Sequence, residues 1–110
     1  MINVDNGLRD LLDSGLPTLG THILTPDPDL FETVGSLDLY DYIEFSAEYA
    51  KFDAERLAHI SRAARLHSTP LIIKLDRGSQ EFWGQCALSI GIQGILFTDI
   101  RTPEDVRRAY

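Results

Sequence analysis

Ionisable side chains stand near the ends of the predicted strands, where they could bind or transform a small acid. The candidates, in chain order, are His22, Glu48, Tyr49, Lys74 and Arg77. Lys74 and Arg77 supply positive charge for a carboxylate, whereas Glu48 and Tyr49 could transfer protons. His22 is a candidate for ligand binding or proton transfer, although a single histidine at a strand end is more often structural. Loop ends are also polar simply because they are solvated, so the residue types alone leave both interpretations open.

Other residues with reactive side chains are better explained as structural. His59 and His67 have no partners at metal-ligand spacing, so we expect neither to bind a metal. Cys86 is the only cysteine and has uncharged neighbours, which predicts an inert, packed thiol. Trp83 is expected to serve in packing or in a subunit contact. Glu44 lies inside the second strand and either points outward between helices or pairs with a cation; the sequence does not distinguish these.

Short β-rich runs alternate with capped helical segments roughly every 25 residues, as consecutive βα units do. The predicted strands are residues 18–24, 39–45, 71–75 and 94–97. One helix is expected around Leu11, and further helices should begin at the cap residues Asp27, Asp53, Ser79 and Thr102. Apolar spacing gives each later helix a predicted inner face. These inner positions are Leu57, Ile60 and Ala64, then Phe82, Cys86 and Ile90, and finally Val106 and Tyr110.

Serial βα units build either an open doubly wound sheet or a (β/α)₈ barrel. No glycine-rich phosphate-binding fingerprint follows any predicted strand, so nothing favours a nucleotide-binding open sheet. Four units in 110 residues make up about half of the ~250 residues of an eight-unit barrel, and no stop signal follows the last helix. We therefore predict an α/β fold, a (β/α)₈ TIM barrel of which this chain supplies the first four βα units plus an N-terminal helix. Residues 1–110 would form a single domain and a fragment of the barrel.

Composition and charge argue against several classes of partner. Ten Lys+Arg against 17 Asp+Glu give a net charge of −7, which leaves no basic stripe for nucleic acid or an anionic membrane surface. No apolar run exceeds three residues, far short of the ~20 that span a bilayer, and residues 1–5 lack a signal-peptide pattern. A lone cysteine suits a reducing compartment. We expect a cytoplasmic protein that acts on small molecules.

Six short segments occur in the order known from one enzyme family. The first four segments resemble the patterns N-x-L/L-R, G-T/L-W/F, D-x-V-x-I-D-x-E-H and P-x-V-R. The last two segments together resemble a fifth pattern, G-A-x-G-I-x-x-P-x-V-x-T-x-E-E-A. The matching segments are residues 6–9, 19–21, 41–49, 70–74, 90–97 and 101–106. Together they span nearly the whole chain, which resembles the N-terminal half of the HpcH/HpaI aldolase and citrate lyase family.

The resemblance implies a (β/α)₈ barrel and a divalent-metal-dependent aldol reaction. Pyruvate or a related 2-oxo acid would be released from, or added to, an aldehyde. The metal, of the Mg or Mn type, would polarise the oxo-acid carbonyl and stabilise its enolate. The family's metal-binding carboxylates come from strands five and six, so the ligands are expected beyond Tyr110. Family members are commonly oligomeric, which leads us to expect a homo-oligomer.

Several site positions depart from the family pattern. The histidine proposed as the family's base falls on Tyr49, and the acidic position before it falls on Ser46. The aspartate that pairs with this histidine falls on Ser89. The arginine that holds the oxo acid falls near Ile73 or Lys74, and lysine lacks the bidentate fork of arginine. A tyrosine with an ordinary pKa near 10 is a poor base at neutral pH, so the resemblance implies altered proton-transfer groups.

Two functions therefore compete. The first is a divergent metal-dependent aldolase or related carbon–carbon lyase, an enzyme of the aldehyde-lyase type with a 2-oxo acid donor. Its predicted catalytic residues are Tyr49 and Lys74, with Glu48, His22 and Arg77 binding substrate. The alternative is a catalytically degenerate barrel that binds a small acid or serves as a scaffold. Loss of the histidine and its aspartate partner favours the alternative, whereas the retained Glu48 with Lys74 and Arg77 disfavours it.

Overall fold

Four short runs rich in β-branched and aromatic residues form a parallel sheet. A computed structural model describes residues 7–110. In it the strands are β1 (Gly20–Ile23), β2 (Tyr42–Ser46), β3 (Leu71–Leu75) and β4 (Gly94–Phe97). They lie side by side in chain order, and all three neighbouring pairs are parallel. Asn6 of the family-like opening, and residues 1–5, lie outside the described residues.

The helices that follow the four strands begin directly after the cap residues predicted from the sequence. The helices are α1 (Gly7–Asp13), α2 (Pro28–Ser36), α3 (Ala54–Arg65), α4 (Gln80–Ser89) and α5 (Pro103–Ala109), and a 3₁₀ turn, Ala47–Tyr49, follows β2. Asp27 accepts a hydrogen bond from the Asp29 amide at 3.0 Å, and Asp53 accepts one from the Arg56 amide at 2.8 Å. Side-chain caps of this kind stabilise a helix by about 1 kcal/mol each.

One predicted cap is wrong. Ser79 does precede α4, but its side chain makes no hydrogen bond to the first turn. The Ser79 hydroxyl instead donates to a carboxylate oxygen of Asp76. The charge-assisted hydrogen bond to the carboxylate orients the Ser79 side chain toward Asp76 and away from the amides of the first turn of the helix.

The first two strands are shorter than predicted. Asp38 has a left-handed backbone with φ of 52°, so the chain turns immediately before β2. Asp41 then holds Leu19, because its amide donates to the Leu19 carbonyl at 2.7 Å and its carboxylate accepts from the Leu19 amide at 2.8 Å. Leu19 and Leu39 are 60% and 64% exposed. These two apolar residues are the reason that longer strands were predicted, but their side chains face solvent in the structure.

One face of the sheet packs against the helices and forms the core. Alternate strand residues are buried there, and each fully buried Leu, Ile or Phe contributes about 1.5–3 kcal/mol. The buried strand residues are Ile23, Ile43, Phe45, Leu71, Ile73 and Leu75. The buried helix residues against them are Phe31, Leu57, Ile60, Ala63, Ala64 and Ala87. The helices hold the sheet in place from this side, so the chemistry of the opposite face is determined by its own side chains.

The opposite face, which we call the open face, carries most of the polar candidates. Strand residues alternate between the two faces, and partners in a parallel pair share one face. The open face therefore holds Gly20, His22, Tyr42, Glu44, Ser46, Ile72, Lys74, Gly94 and Leu96. Helix α1 covers its N-terminal end, where Leu8 is buried and borders a cavity of about 520 Å³.

The predicted inner face of α4 is wrong in one position. Phe82 is 67% exposed, whereas Gly84 and Ala87 are buried. Trp83 packs on Phe52, with ring centroids 4.5 Å apart, which agrees with the packing role expected for Trp83. Because Gly84 has no side chain, the helix approaches the sheet along this stripe and turns Phe82 outward. In α5, likewise, Val106 and Tyr110 are exposed.

Candidate functional site

Lys74, Glu48 and Tyr49 come together at the C-terminal ends of β2 and β3, and we call them the Lys74 cluster. The Lys74 Nζ atom lies 3.8 Å from Glu48 Oε1 and 5.2 Å from the centre of the Tyr49 ring. Lys74 is the register partner of Ser46, so the 3₁₀ turn that follows Ser46 brings the other two residues over the end of β3. Of the five site residues predicted from the sequence, these three contact one another, and their catalytic and binding roles stay predictions.

Hydrogen bonding between Glu48 and Tyr49 shifts the pKa of both groups. The Tyr49 hydroxyl donates to the Glu48 carboxylate, and this bond is the main reason that the pKa of Glu48 is lowered and the pKa of Tyr49 is raised. Thr98 and the charge of Lys74 also lower the pKa of Glu48. The single hydroxyl proton of Thr98 is donated to the Leu75 carbonyl at 2.8 Å. At neutral pH, Glu48 is ionised and Tyr49 keeps its proton.

A second polar group lies on the open face beside the cluster. Glu44 Oε2 accepts a hydrogen bond from Ser46 Oγ at 3.2 Å and lies 3.9 Å from His22 Nδ1. His22 and Glu44 are register partners on β1 and β2. Of the two orientations left open for Glu44, the structure has the one that pairs with a cation, provided that the imidazole is protonated. Nothing in the sequence pairs His22 with Glu44 or Ser46, because the contact depends on the register of β1 against β2.

The partners of Arg77 are outside the Lys74 cluster. Its guanidinium donates to Asp105 Oδ1 at 2.7 Å and to the Asp99 carbonyl at 3.1 Å. Asp105 also accepts from the amides of Arg101 and Thr102, and these bonds, with the charge of Arg77, lower its pKa. Arg77 therefore ties the loop after β3 to the start of α5. Substrate binding by Arg77 stays a prediction. Its guanidinium already has two protein partners, which a substrate would have to share or displace.

The carboxylates near the site do not form a metal centre within the part of the chain that the structure describes. Residues 7–110 contain no group of three or more His, Cys, Asp or Glu side chains that could hold a metal ion. Glu48 is engaged by the Lys74 ammonium and the Tyr49 hydroxyl, which compete with any cation for its oxygens. These residues alone therefore do not fit the divalent metal that the family resemblance implies.

Among residues 7–110, no helix is long and apolar enough to cross a membrane.

Solved structures share this arrangement of strands and helices. The crystal structure of citrate synthase SbnG aligns with a TM-score of 0.82 at 23% identity, over 96% of this chain and 42% of that chain. The HpcH/HpaI aldolase from Desulfitobacterium hafniense DCB-2 aligns with a TM-score of 0.78 at 21% identity, over 96% and 40% of the two chains. An HpcH/HpaI aldolase/citrate lyase family protein from Burkholderia cenocepacia J2315 gives 0.76 at 25% identity, over 96% and 41%.

The sequence comparisons and the structural comparisons differ in reach. No family sequence model and no curated protein sequence matches the chain. The structural matches cover nearly all of this chain, which spans about two fifths of the length of those proteins. At these identities the likeness establishes the fold. The chain therefore has the fold of part of an aldolase-type TIM barrel, with four parallel strands that alternate with helices, as in the HpcH/HpaI proteins that its motifs resemble.

Proposed function

We propose that this chain is the N-terminal half of a divergent metal-dependent aldolase, or related carbon–carbon lyase, with pyruvate or a related 2-oxo acid as donor. The observation that carries the proposal is the Lys74 cluster, a cation, a carboxylate and a phenol at the C-terminal strand ends. Barrel enzymes place their working residues at these ends. The structural likeness to aldolases supports the class of reaction. The activity would belong to a longer protein that contains this chain.

Each member of the cluster has a distinct part in the proposed reaction. Lys74 attracts the anionic oxo acid and stabilises the negative charge that develops on the enolate oxygen. Glu48 holds the ammonium in place from 3.8 Å. Tyr49, which keeps its proton, hydrogen-bonds the Glu48 carboxylate and so fixes the partner of the ammonium. A divalent metal of the Mg or Mn type would add Lewis-acid stabilisation when bound, with ligands outside this sequence.

A second candidate function is a catalytically degenerate barrel that binds a small acid or acts as a scaffold. The raised pKa of Tyr49 favours it, because a tyrosine held in this way is not a base at neutral pH. Ser89, at the position of the family's aspartate, donates to the Cys86 carbonyl at 2.7 Å and so only completes its own helix. Neither residue replaces the lost histidine–aspartate pair.

The two functions are separated by following the methyl protons of pyruvate in deuterated water. The complete protein that contains this chain is assayed by NMR with and without Mg²⁺ or Mn²⁺, and oxo-acid binding is measured in parallel. Metal-dependent exchange above the buffer rate, with release of pyruvate from a hydroxy-oxo acid, supports the lyase. A protein that binds oxo acids but is inert in both assays with several divalent metals is the degenerate barrel.

A further inference from the structure

The Lys74 cluster has no group suited to take a proton from carbon. A general base works best when its pKa lies near the working pH. Hydrogen bonding to Glu48 makes Tyr49 hold its proton more tightly, and the same bond makes the Glu48 carboxylate a weaker base. The site needs a proton-transfer group from another strand if it forms an enolate.

His22 and Glu44 lie next to each other on the open face, with the imidazole at ion-pair distance from the carboxylate. They are partners on adjacent parallel strands, and His22 Nδ1 faces Glu44 Oε2 at 3.9 Å. Glu44 is itself fixed, because its side chain is only 19% exposed and the buried Ser46 donates to it at 3.2 Å. The His22 side chain is 68% exposed. With Nδ1 toward the carboxylate, Nε2 is the ring nitrogen left for a ligand.

The pair lies within reach of a substrate bound at Lys74. Ser46 is the register partner of Lys74, and Glu44 lies two residues earlier on the same strand and the same face. Two residues along a strand correspond to about 7 Å. His22 on β1 also lies two strands away from Lys74 on β3, about 10 Å across the sheet. A small oxo acid held by the long Lys74 side chain would bridge the remaining gap across the open face to the imidazole.

We propose that His22 is the acid–base catalyst of the site and that Glu44 is its positioning residue. Nε2 of His22 takes a proton from the methyl carbon of the 2-oxo acid, and the electron pair of that C–H bond forms the enolate. The enolate oxygen is stabilised by Lys74, and the imidazolium by the Glu44 carboxylate. In the reverse direction the same N–H returns the proton to carbon. This inference rests on the proposed function and names the group that moves its proton.

The test measures pyruvate methyl exchange and pyruvate binding in the complete protein. We expect His22→Ala to lower the maximal exchange rate about 10²–10⁴-fold, the usual contribution of a general base, with little change in pyruvate affinity. Added imidazole should restore part of the rate. Glu44→Gln should lower the rate less and leave binding intact. His59→Gln is the matched control, because His59 lies on α3 beside Arg62 and away from the open face.

The outcomes separate this inference from the proposed function. Full exchange in His22→Ala overturns the inference while the lyase proposal stands. A loss of rate that imidazole does not restore, with pyruvate affinity lost as well, assigns His22 a structural role and also overturns it. His22→Gln, followed by thermal unfolding, provides the same comparison if the alanine variant folds poorly. A wild-type protein without exchange overturns the proposed function and this inference together.

Discussion

Lys74 and Glu48 reach each other from adjacent strand ends, with Nζ 3.8 Å from Oε1. Lys74 belongs to β3, whereas Glu48 belongs to the 3₁₀ turn after β2. Their contact therefore depends on the register that pairs Ser46 with Lys74. A shift by one residue would turn Lys74 toward the helices and replace it with a core side chain.

Lys74→Met removes the charge and keeps the length of the side chain. We expect oxo-acid binding or turnover to fall 10- to 100-fold, roughly 1.4–2.7 kcal/mol, comparable to the loss of a charge-assisted hydrogen bond. Calorimetric titration with pyruvate and the exchange assay give the two values. Lys51→Met is the control, because Lys51 is exposed and is the only other lysine. Equal effects of both substitutions would show that general charge, not the site, attracts the acid.

Tyr49→Phe removes the hydroxyl that donates to Glu48. We expect turnover to fall more than pyruvate affinity, because Glu48 and the Lys74 ammonium that it holds lose a fixed position opposite the developing oxyanion, which matters mainly in the transition state. The pKa of Glu48 should rise, since its largest lowering cause is gone. Carbon-detected NMR of the Glu48 carboxyl during a pH titration measures this directly. An unchanged midpoint for Glu48 would contradict the hydrogen bond.

Acidification should destabilise the protein through Glu48 and Asp105. Both have folded-state pKa values below their ordinary values of 4.5 and 3.8, so the unfolded state binds more protons. Their stabilising contribution is complete above the ordinary values and is lost as the pH falls from about 5 to below the folded-state values. Asp105→Asn should lower the melting temperature near neutral pH and flatten its dependence on pH in this range. Glu32→Gln, on an exposed residue of α2, is the control.

The two apolar positions Leu57 and Phe82 should differ sharply in their contribution to stability. Leu57 is fully buried, so Leu57→Ala should lower the free energy of unfolding by about 2–5 kcal/mol. Phe82 is 67% exposed, and Phe82→Ala should change it by about 0.5 kcal/mol or less. Urea unfolding of the complete protein measures both. A cost for Phe82→Ala as large as that for Leu57→Ala would restore the face predicted for α4.

The 110-residue chain by itself should associate or remain molten. Strands β1 and β4 each have one unpaired edge, and open edges template pairing with other chains. Apolar side chains such as Leu12, Leu24 and Leu96 are between 44% and 60% exposed. Sedimentation velocity and binding of a hydrophobic dye are the appropriate measurements. A monomer that melts cooperatively would show that the open face needs no cover.

Local chemistry made some elements predictable. Strands β3 and β4 were predicted to the residue, since each is an apolar run with Pro70 before one and Gly94 opening the other. The caps Asp53 and Thr102 were predictable because a cap depends on neighbours within three residues. The face of α4 was not, because Phe82 and Trp83 give two competing apolar stripes and only the approach of the sheet selects between them.

The site was predictable where position along the chain was enough. Glu48 and Lys74 both stand at strand ends, and parallel strands bring such ends together. The His22–Glu44 contact needs the register of β1 against β2, which the sequence does not specify. The partner of Arg77 lies 28 residues away at Asp105, and a bond over that separation is decided by packing. An arginine that is free to bind a ligand and an arginine that is held by a protein carboxylate look the same in the sequence.

Asp105 caps its own helix, α5, and also holds Arg77 on the loop after β3. This double use limits how the site can diversify. A substitution that frees Arg77 to select a new ligand also removes a partner from the first turn of α5. Changing Asp105 to admit a larger ligand releases the loop after β3. Two neighbouring loops, the one after β3 and the one before α5, would thus have to evolve, or be redesigned, as one unit.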